Sequence, residues 1–229
     1  MTFNIISVVP EALESYLNSS IIGRAIGTKK IKVKILNPRD FTKDKHHKAD
    51  ERPYGGGPGM VLKAEPILKA VARLSTKHEA RNSKQIKNLK LKIKKIKTII
   101  FSPGGKLFTN ELAAKWAKQY DELIMISGRY EGIDGRVKKI LKAEEISVGP
   151  YVLTGGELPA LIVLDTVTRK LPGVLGKDES VEERRVASGE VYTRPEILDY
   201  KKKKYRVPKV LLSGHHKNID GWRGERKSI

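Results

Sequence analysis

The sequence predicts an α/β domain built on a largely parallel sheet. Short β-branched runs recur at residues 3–9, 31–36, 98–101 and 123–127. Segments with apolar residues at helical spacing stand between them, the alternation that winds a parallel sheet. Two glycine-rich polar stretches complete the pattern. One, residues 128–134, follows the apolar run Leu123-Ile124-Met125-Ile126; the other, residues 147–160, leads into an apolar helix. Glycine loops at the ends of buried elements let backbone amides and carbonyls approach a small ligand closely.

In chain order, residues 3–9 form a strand closed by Pro10. Residues 11–26 carry Leu13, Leu17, Ile21, Ile22 and Ala25 at helical spacing, with Gly27 placed to cap the helix. Residues 31–36 alternate as a strand until Asn37-Pro38 breaks it. A polar loop spans 39–59, and 61–74 returns to helical spacing with Pro66 near its start. Residues 76–97 read as a lysine-rich connection. A strand at 98–101 ends at Ser102-Pro103-Gly104-Gly105, and residues 110–120 form an amphipathic helix with Leu112, Ala113 and Trp116 inward. The helix at 159–171 starts with a proline in its first turn. Beyond Pro172-Gly173 the chain becomes charged: 177–190 reads as a linker and 191–229 as a small basic segment with a short helix near Trp222.

With 229 residues, 39% of them hydrophobic, the chain has room for one large domain, or for one domain and a small appendage. The 46 Lys and Arg outnumber the 26 Asp and Glu, for a formal charge of +20. So large an excess points to a polyanionic partner, nucleic acid first, beside a plain lysine-rich composition. A membrane surface is disfavoured, because no basic amphipathic segment carries Trp or Phe. The absence of Cys excludes disulfides, Cys-ligated zinc and thiol catalysis. No apolar run approaches the roughly 20 residues that span a bilayer. Residues 1–7 read as a strand rather than a leader, so a cytoplasmic location is expected.

Several constellations carry chemistry. Ser102-Pro103-Gly104-Gly105-Lys106 lacks the spacing of a nucleotide P-loop and reads as a turn at a strand end. Gly128-Arg129-Tyr130-Glu131-Gly132 joins strand, glycine and polar groups, as a ligand loop or a plain one. Residues 51–60 form a glycine–proline loop, either a connector or a lid over a ligand. Asp40, Asp44, His46, His47, Asp50 and Glu51 match no metal-ligand spacing; solvated charges or RNA contacts fit them better. Lys201-Lys202-Lys203-Lys204-Tyr205-Arg206 is a solvated basic run that becomes a phosphate contact if nucleic acid is bound.

Taken in order, these segments closely resemble the bacterial tRNA (guanine-37-N1)-methyltransferases, the TrmD family of the SPOUT class. The resemblance rests on Asn37-Pro38-Arg39-Asp40-Phe41-Thr42, residues 52–60, 128–134 and 151–160, and Pro172-Gly173-Val174-Leu175-Gly176. Tyr192-Thr193-Arg194-Pro195-Glu196 and Leu211-Leu212-Ser213-Gly214 complete the set. It implies a SPOUT-type parallel sheet with a deep trefoil knot over residues 1–176, a linker at 177–190, and a short helical tRNA-binding segment at 191–229. It also implies a homodimer with the active site at the subunit interface, and the tRNA anticodon stem-loop as partner. The methyl donor is S-adenosylmethionine. Phe101, Ser102, Pro103 and Gly104, then Gly128, Arg129, Tyr130, Glu131 and Gly132, then Val148, Gly149, Pro150, Tyr151, Val152 and Leu153, with Gly155, Gly156 and Pro159, would hold it. Asp50, Arg52, Pro58, Gly59, Tyr130, Arg194 and His215 would meet the tRNA. Magnesium dependence belongs to the family, but no Mg2+ ligand set is readable here.

The implied reaction removes the proton from guanine N1 and stabilises charge developing on O6. Arg169 matches the family's arginine for the second task. The family's aspartate base falls, by an ungapped count, on Arg184, which cannot deprotonate anything near neutral pH. The linker is also shorter than usual before Tyr192, so Glu183 is the first candidate base and Glu182 the second. Pro150 stands where the family is usually acidic, and the family continues into further helices beyond the position of Ile229. Two other readings stay open: an RNA-binding relative with weak or lost catalysis, and a methyltransferase acting on another RNA.

Overall fold

The computed structural model describes residues 1–85, 95–175 and 190–225. It comprises two compact units, Met1–Val174 and Leu175–Ile229. The first opens with β1 (Thr2–Ile6), α1 (Glu11–Leu17), α2 (Ser20–Gly27), β2 (Lys32–Leu36) and a 3-10 turn at Pro38–Phe41. A small antiparallel ribbon, β3 (Asp50–Glu51) with β4 (Val61–Leu62), leads into α3 (Ala64–Gln85). Then come β5 (Ile96–Leu107), α4 (Asn110–Gln119), β6 (Glu122–Ile126), α5 (Gly135–Leu141), β7 (Glu144–Ser147) and α6 (Glu157–Arg169). The five-stranded sheet has the order β2-β1-β6-β5-β7, and every pair in it is parallel.

The strand pleat sorts the core into two layers. Phe3, Ile5, Ile99, Leu123 and Met125 face one side, packed with Leu13, Trp116 and Leu164 from α1, α4 and α6. Ile6, Ile100, Ile124 and Ile126 face the other, against Ile67, Val71 and Val137 from α3 and α5. All five residues of β6 are buried, as expected of a central parallel strand covered on both faces. Burying each large apolar side chain is worth about 1.5–3 kcal/mol. Buried polar groups lie within the core; Asn4 Nδ2 donates to Glu122 Oε1 at 2.6 Å.

Several elements depart from the sequence reading. The helix expected over 11–26 is two helices, broken where Ser20 takes a φ of 49°. Asn18-Ser19-Ser20 supplies polar side chains that compete for the backbone; Ser19 Oγ donates to Ser15 O. The ribbon β3–β4 lies where only loop and helix were expected. Part of the lysine-rich connection is helical, because α3 runs to Gln85 through a stretch free of Gly and rich in helix formers. Ser102-Pro103-Gly104-Gly105 is not a strand end. It bulges out of β5, which resumes so that Phe101 and Lys106 both face Ile146. Gly105 makes this feasible: a Cβ there would lie 2.6 Å from Ile146 N. Helix α5 and strand β7 follow the first glycine loop, where the lysines and glutamates of the sequence mask their apolar pattern.

The second unit is not simply helical. It contains an antiparallel hairpin, β8 (Ile197–Tyr200) with β9 (Lys203–Arg206), before α7 (Lys209–Leu212) and α8 (His216–Glu225). The rings of Tyr192 and Trp222 pack with centroids 6.3 Å apart. The expected linker at 177–190 lies almost wholly outside the described residues.

Candidate active site

A cavity of ≈ 430 Å³ opens at the bulge of β5 and the carboxyl ends of β6 and β7, and open α/β sheets bind ligands at such strand ends. The β5 bulge supplies Phe101, Ser102 and Pro103 to its wall. Gly128, Arg129, Tyr130, Glu131 and Gly132 come from the loop after β6, and Val148, Tyr151, Val152, Leu153, Gly155 and Gly156 from the loop after β7. Pro159 closes it from the first turn of α6. Of the residues expected to hold the donor, Gly104, Gly149 and Pro150 are not on the wall. Sequence reasoning missed the side chains of Lys138 and Glu145, which also line it and pair with each other at 2.6 Å.

The two glycine loops are stitched together. Gly156 N donates to Gly128 O at 2.9 Å, and Arg129 bridges to Gly155 as a short antiparallel contact. Neither Gly155 nor Gly156 has room for a side chain. A Cβ on Gly156 would lie 2.6 Å from Ser127 Cα, and one on Gly155 would lie 2.5 Å from Arg129 Nε. Tyr130 holds a left-handed φ of 59° at the apex of the first loop.

A buried carboxylate anchors this junction. Glu157, only 4% exposed, accepts from Ser7 Oγ at 2.6 Å and from Arg129 Nε at 3.0 Å. Ser7 Oγ in turn accepts from Val9 N at 3.0 Å. Three segments are thus tied to one side chain: the end of β1, the first glycine loop and the start of α6. Asp134, also on the cavity wall, caps α5 by accepting from Arg136 N, and the Arg136 guanidinium holds its carboxyl below the ordinary aspartate range.

The loop of residues 51–60 packs on the first glycine loop. Glu131 N donates to Met60 O at 3.0 Å, and Leu62 N to Gly132 O at 3.0 Å. Gly59 takes a φ of +77°, with the Glu131 side chain filling the space a Cβ would need. Asp50 is in β3, while Arg52 and Pro58 are exposed. None of Asp50, Arg52, Pro58 and Gly59 lines the cavity. Arg169 lies in the last turn of α6, ten residues beyond Pro159 and so about 15 Å along the helix from the cavity. Arg194 and His215 belong to the second unit. Glu182, Glu183 and Arg184 fall outside the described residues. Among the described residues no three His, Cys, Asp or Glu are grouped to hold a metal ion, and no helix is long and apolar enough to cross a membrane.

Fold and cavity define a class: a layered α/β protein with a cavity walled by glycine-rich loops at one edge of a parallel sheet. The model of the family tRNA (guanine-1)-methyltransferase TrmD matches residues 1–229. The tRNA (guanine-N(1)-)-methyltransferase of Pseudoalteromonas atlantica is 42% identical over 228 residues, 98% of this chain and 79% of that protein. Its namesake in Clostridioides difficile is 42% identical over 229 residues, covering 98% and 91%. That of Trichodesmium erythraeum is 41% identical over 231 residues, covering 99% and 92%. The chain belongs to the TrmD family of tRNA (guanine-1)-methyltransferases.

Proposed function

We infer that this protein methylates N1 of the guanosine 3′ of the anticodon, position 37, in tRNA, with S-adenosylmethionine as donor. Family membership over the whole chain carries the reading, and the cavity built from the family's own loops supports it. The donor is amphipathic, and the cavity suits it: glycine-cradled backbone beside Arg129, Glu131 and Lys138, in a volume typical of cofactor sites. When bound, the donor supplies an electrophilic methyl group on a sulfonium. The protein's residues then have two tasks. A carboxylate takes the N1 proton of guanine, and Glu183 is assigned that role, with Glu182 next. Arg169 stabilises the charge that grows on O6.

The separation of about 15 Å along α6 between Pro159 and Arg169 supports a site shared between two copies, one giving the donor cavity and the other Arg169. The exposed apolar side chains at the start of α6 and at the cavity mouth, Leu158, Ile162, Tyr151 and Val152, suit cover by a second copy. The family's trefoil knot would place the donor in a bent conformation between the two stitched loops. Residues 50–59, with Tyr130, would meet the target guanosine, and residues 191–229, with Arg194 and His215, the anticodon stem.

Labelled donor and tRNA carrying guanosine or adenosine at position 37 test the reading. Label entering only the guanosine tRNA is the expected result. No transfer would indicate an RNA-binding relative without catalysis, and equal transfer to both would indicate a different target nucleotide.

A further inference from the structure

The hairpin β8–β9 lies within residues 191–229, the segment that the proposed function assigns to tRNA. Its register pairs Leu198 with Tyr205 and Tyr200 with Lys203. Strand alternation therefore places Leu198, Tyr200, Lys203 and Tyr205 on one face. Leu198, Tyr200 and Tyr205 are each more than half exposed, so this aromatic face is largely open to solvent. Residues 197–206 hold five cations against the single carboxylate of Asp199. Among the described residues no carboxylate pairs with Lys201, Lys202, Lys203 or Lys204. Lys201 Nζ lies 5.5 Å from the centroid of the Tyr200 ring.

The apex is the sharpest observation. Lys201 has φ 49° and Lys202 φ 62°. A two-residue hairpin turn with positive φ at both central positions takes Asn-Gly or Asp-Gly by preference, because a lysine Cβ is crowded there. Here the turn chemistry is overridden at both positions by exposed cations. A local conflict of this kind, kept at a solvent-exposed tip, points to function rather than folding.

We propose that the β8–β9 hairpin is an RNA-docking ribbon whose lysine apex contacts tRNA phosphates and whose tyrosine face stacks on an unpaired base. The proposal rests on tRNA being the substrate. Cations beside exposed aromatic rings fit RNA on two counts: phosphates take the charge, and bases take the rings. An anionic membrane accounts for the charge but gives this ribbon no buried apolar helix face.

The test uses the full chain. Lys201→Asn with Lys202→Gly installs the residues the turn prefers and removes two cations. Thermal unfolding should show a fold at least as stable as the parent. Affinity for tRNA at 0.15 M salt should fall roughly five- to tenfold, and the slope of log affinity against log salt by about 1 for each phosphate no longer engaged. KM for tRNA should rise with kcat at saturating tRNA retained. Tyr200→Leu with Tyr205→Leu should weaken tRNA binding while leaving the salt slope unchanged. Parental tRNA affinity and salt slope in the lysine variant would overturn the proposal. So would a lysine variant that keeps its tRNA affinity but no longer binds vesicles containing phosphatidylserine. A parent protein that fails to bind or methylate tRNA removes the functional reading as well; normal methylation with unchanged KM in both variants removes only the role of the hairpin.

Discussion

Glu157 is the residue on which the site's geometry turns. Its two oxygens hold Ser7 and Arg129, and the guanidinium it holds forms part of the cavity wall. Glu157→Ala leaves a buried hydroxyl and a partly buried cation without their acceptor. Because Arg129 retains some exposure to water, the expected loss is about 2–3 kcal/mol, below that for a fully buried pair. Denaturant unfolding measures it, and calorimetry should show donor binding weakened in parallel. Glu157→Gln keeps the side chain's length and should lose less. The assignment of the base leads to a separate expectation. Glu183→Gln should abolish single-turnover methyl transfer while donor affinity stays at the parental value; an unchanged rate would remove Glu183 from that role.

At the scale of elements, the cavity depends on two loops and a bulge that approach more closely than side chains permit. Gly156→Ala drives a Cβ into Ser127 Cα and Gly128 N, both backbone atoms that cannot swing aside. Overpacking of this kind costs about 1–3 kcal/mol, and a lowered Tm with weakened donor binding should report it. Gly27→Ala is the control, since nothing lies within 4 Å of its added Cβ and the backbone is helical. It should leave donor binding unchanged and raise stability by about 0.4–1 kcal/mol. These close approaches also mark where sequence reading stops. Strands β1, β5 and β6 were legible because their apolar residues come in short, dense runs, and β2 because Ile31, Val33 and Ile35 alternate with lysines. The α5–β7 segment was not, because Val137 and Ile146 are nearly its only fully buried large side chains amid lysines and glutamates. The hairpin β8–β9 was hidden by its apex, where lysines replace the glycine that signals such a turn. The Arg129–Glu157 pair spans 28 residues, and no local pattern announces it. Most cavity-lining glycines could still be read, because a backbone-walled site leaves its signature in composition. The side-chain partners that hold those loops in place come from the fold.

At the scale of the molecule, the proposed site joins a donor cavity in one copy to Arg169 in another. Analytical ultracentrifugation should find a dimer at micromolar concentration. Mixing Arg169→Ala subunits with Gly156→Ala subunits should restore part of the activity that each variant lacks alone, since a mixed dimer contains one intact site. Activity that is not restored on mixing would place cavity and arginine in the same chain. The charge of +20 belongs to this scale too. It favours encounter with tRNA at low salt and makes the reaction sensitive to ionic strength. The most direct measurement is chemical. Purified protein is incubated with S-adenosylmethionine and tRNA bearing guanosine at position 37, and the product is digested and mapped by mass spectrometry. The expected product is 1-methylguanosine at position 37 and at no other position; tRNA recovered without 1-methylguanosine, or methylated elsewhere, would overturn the proposed function.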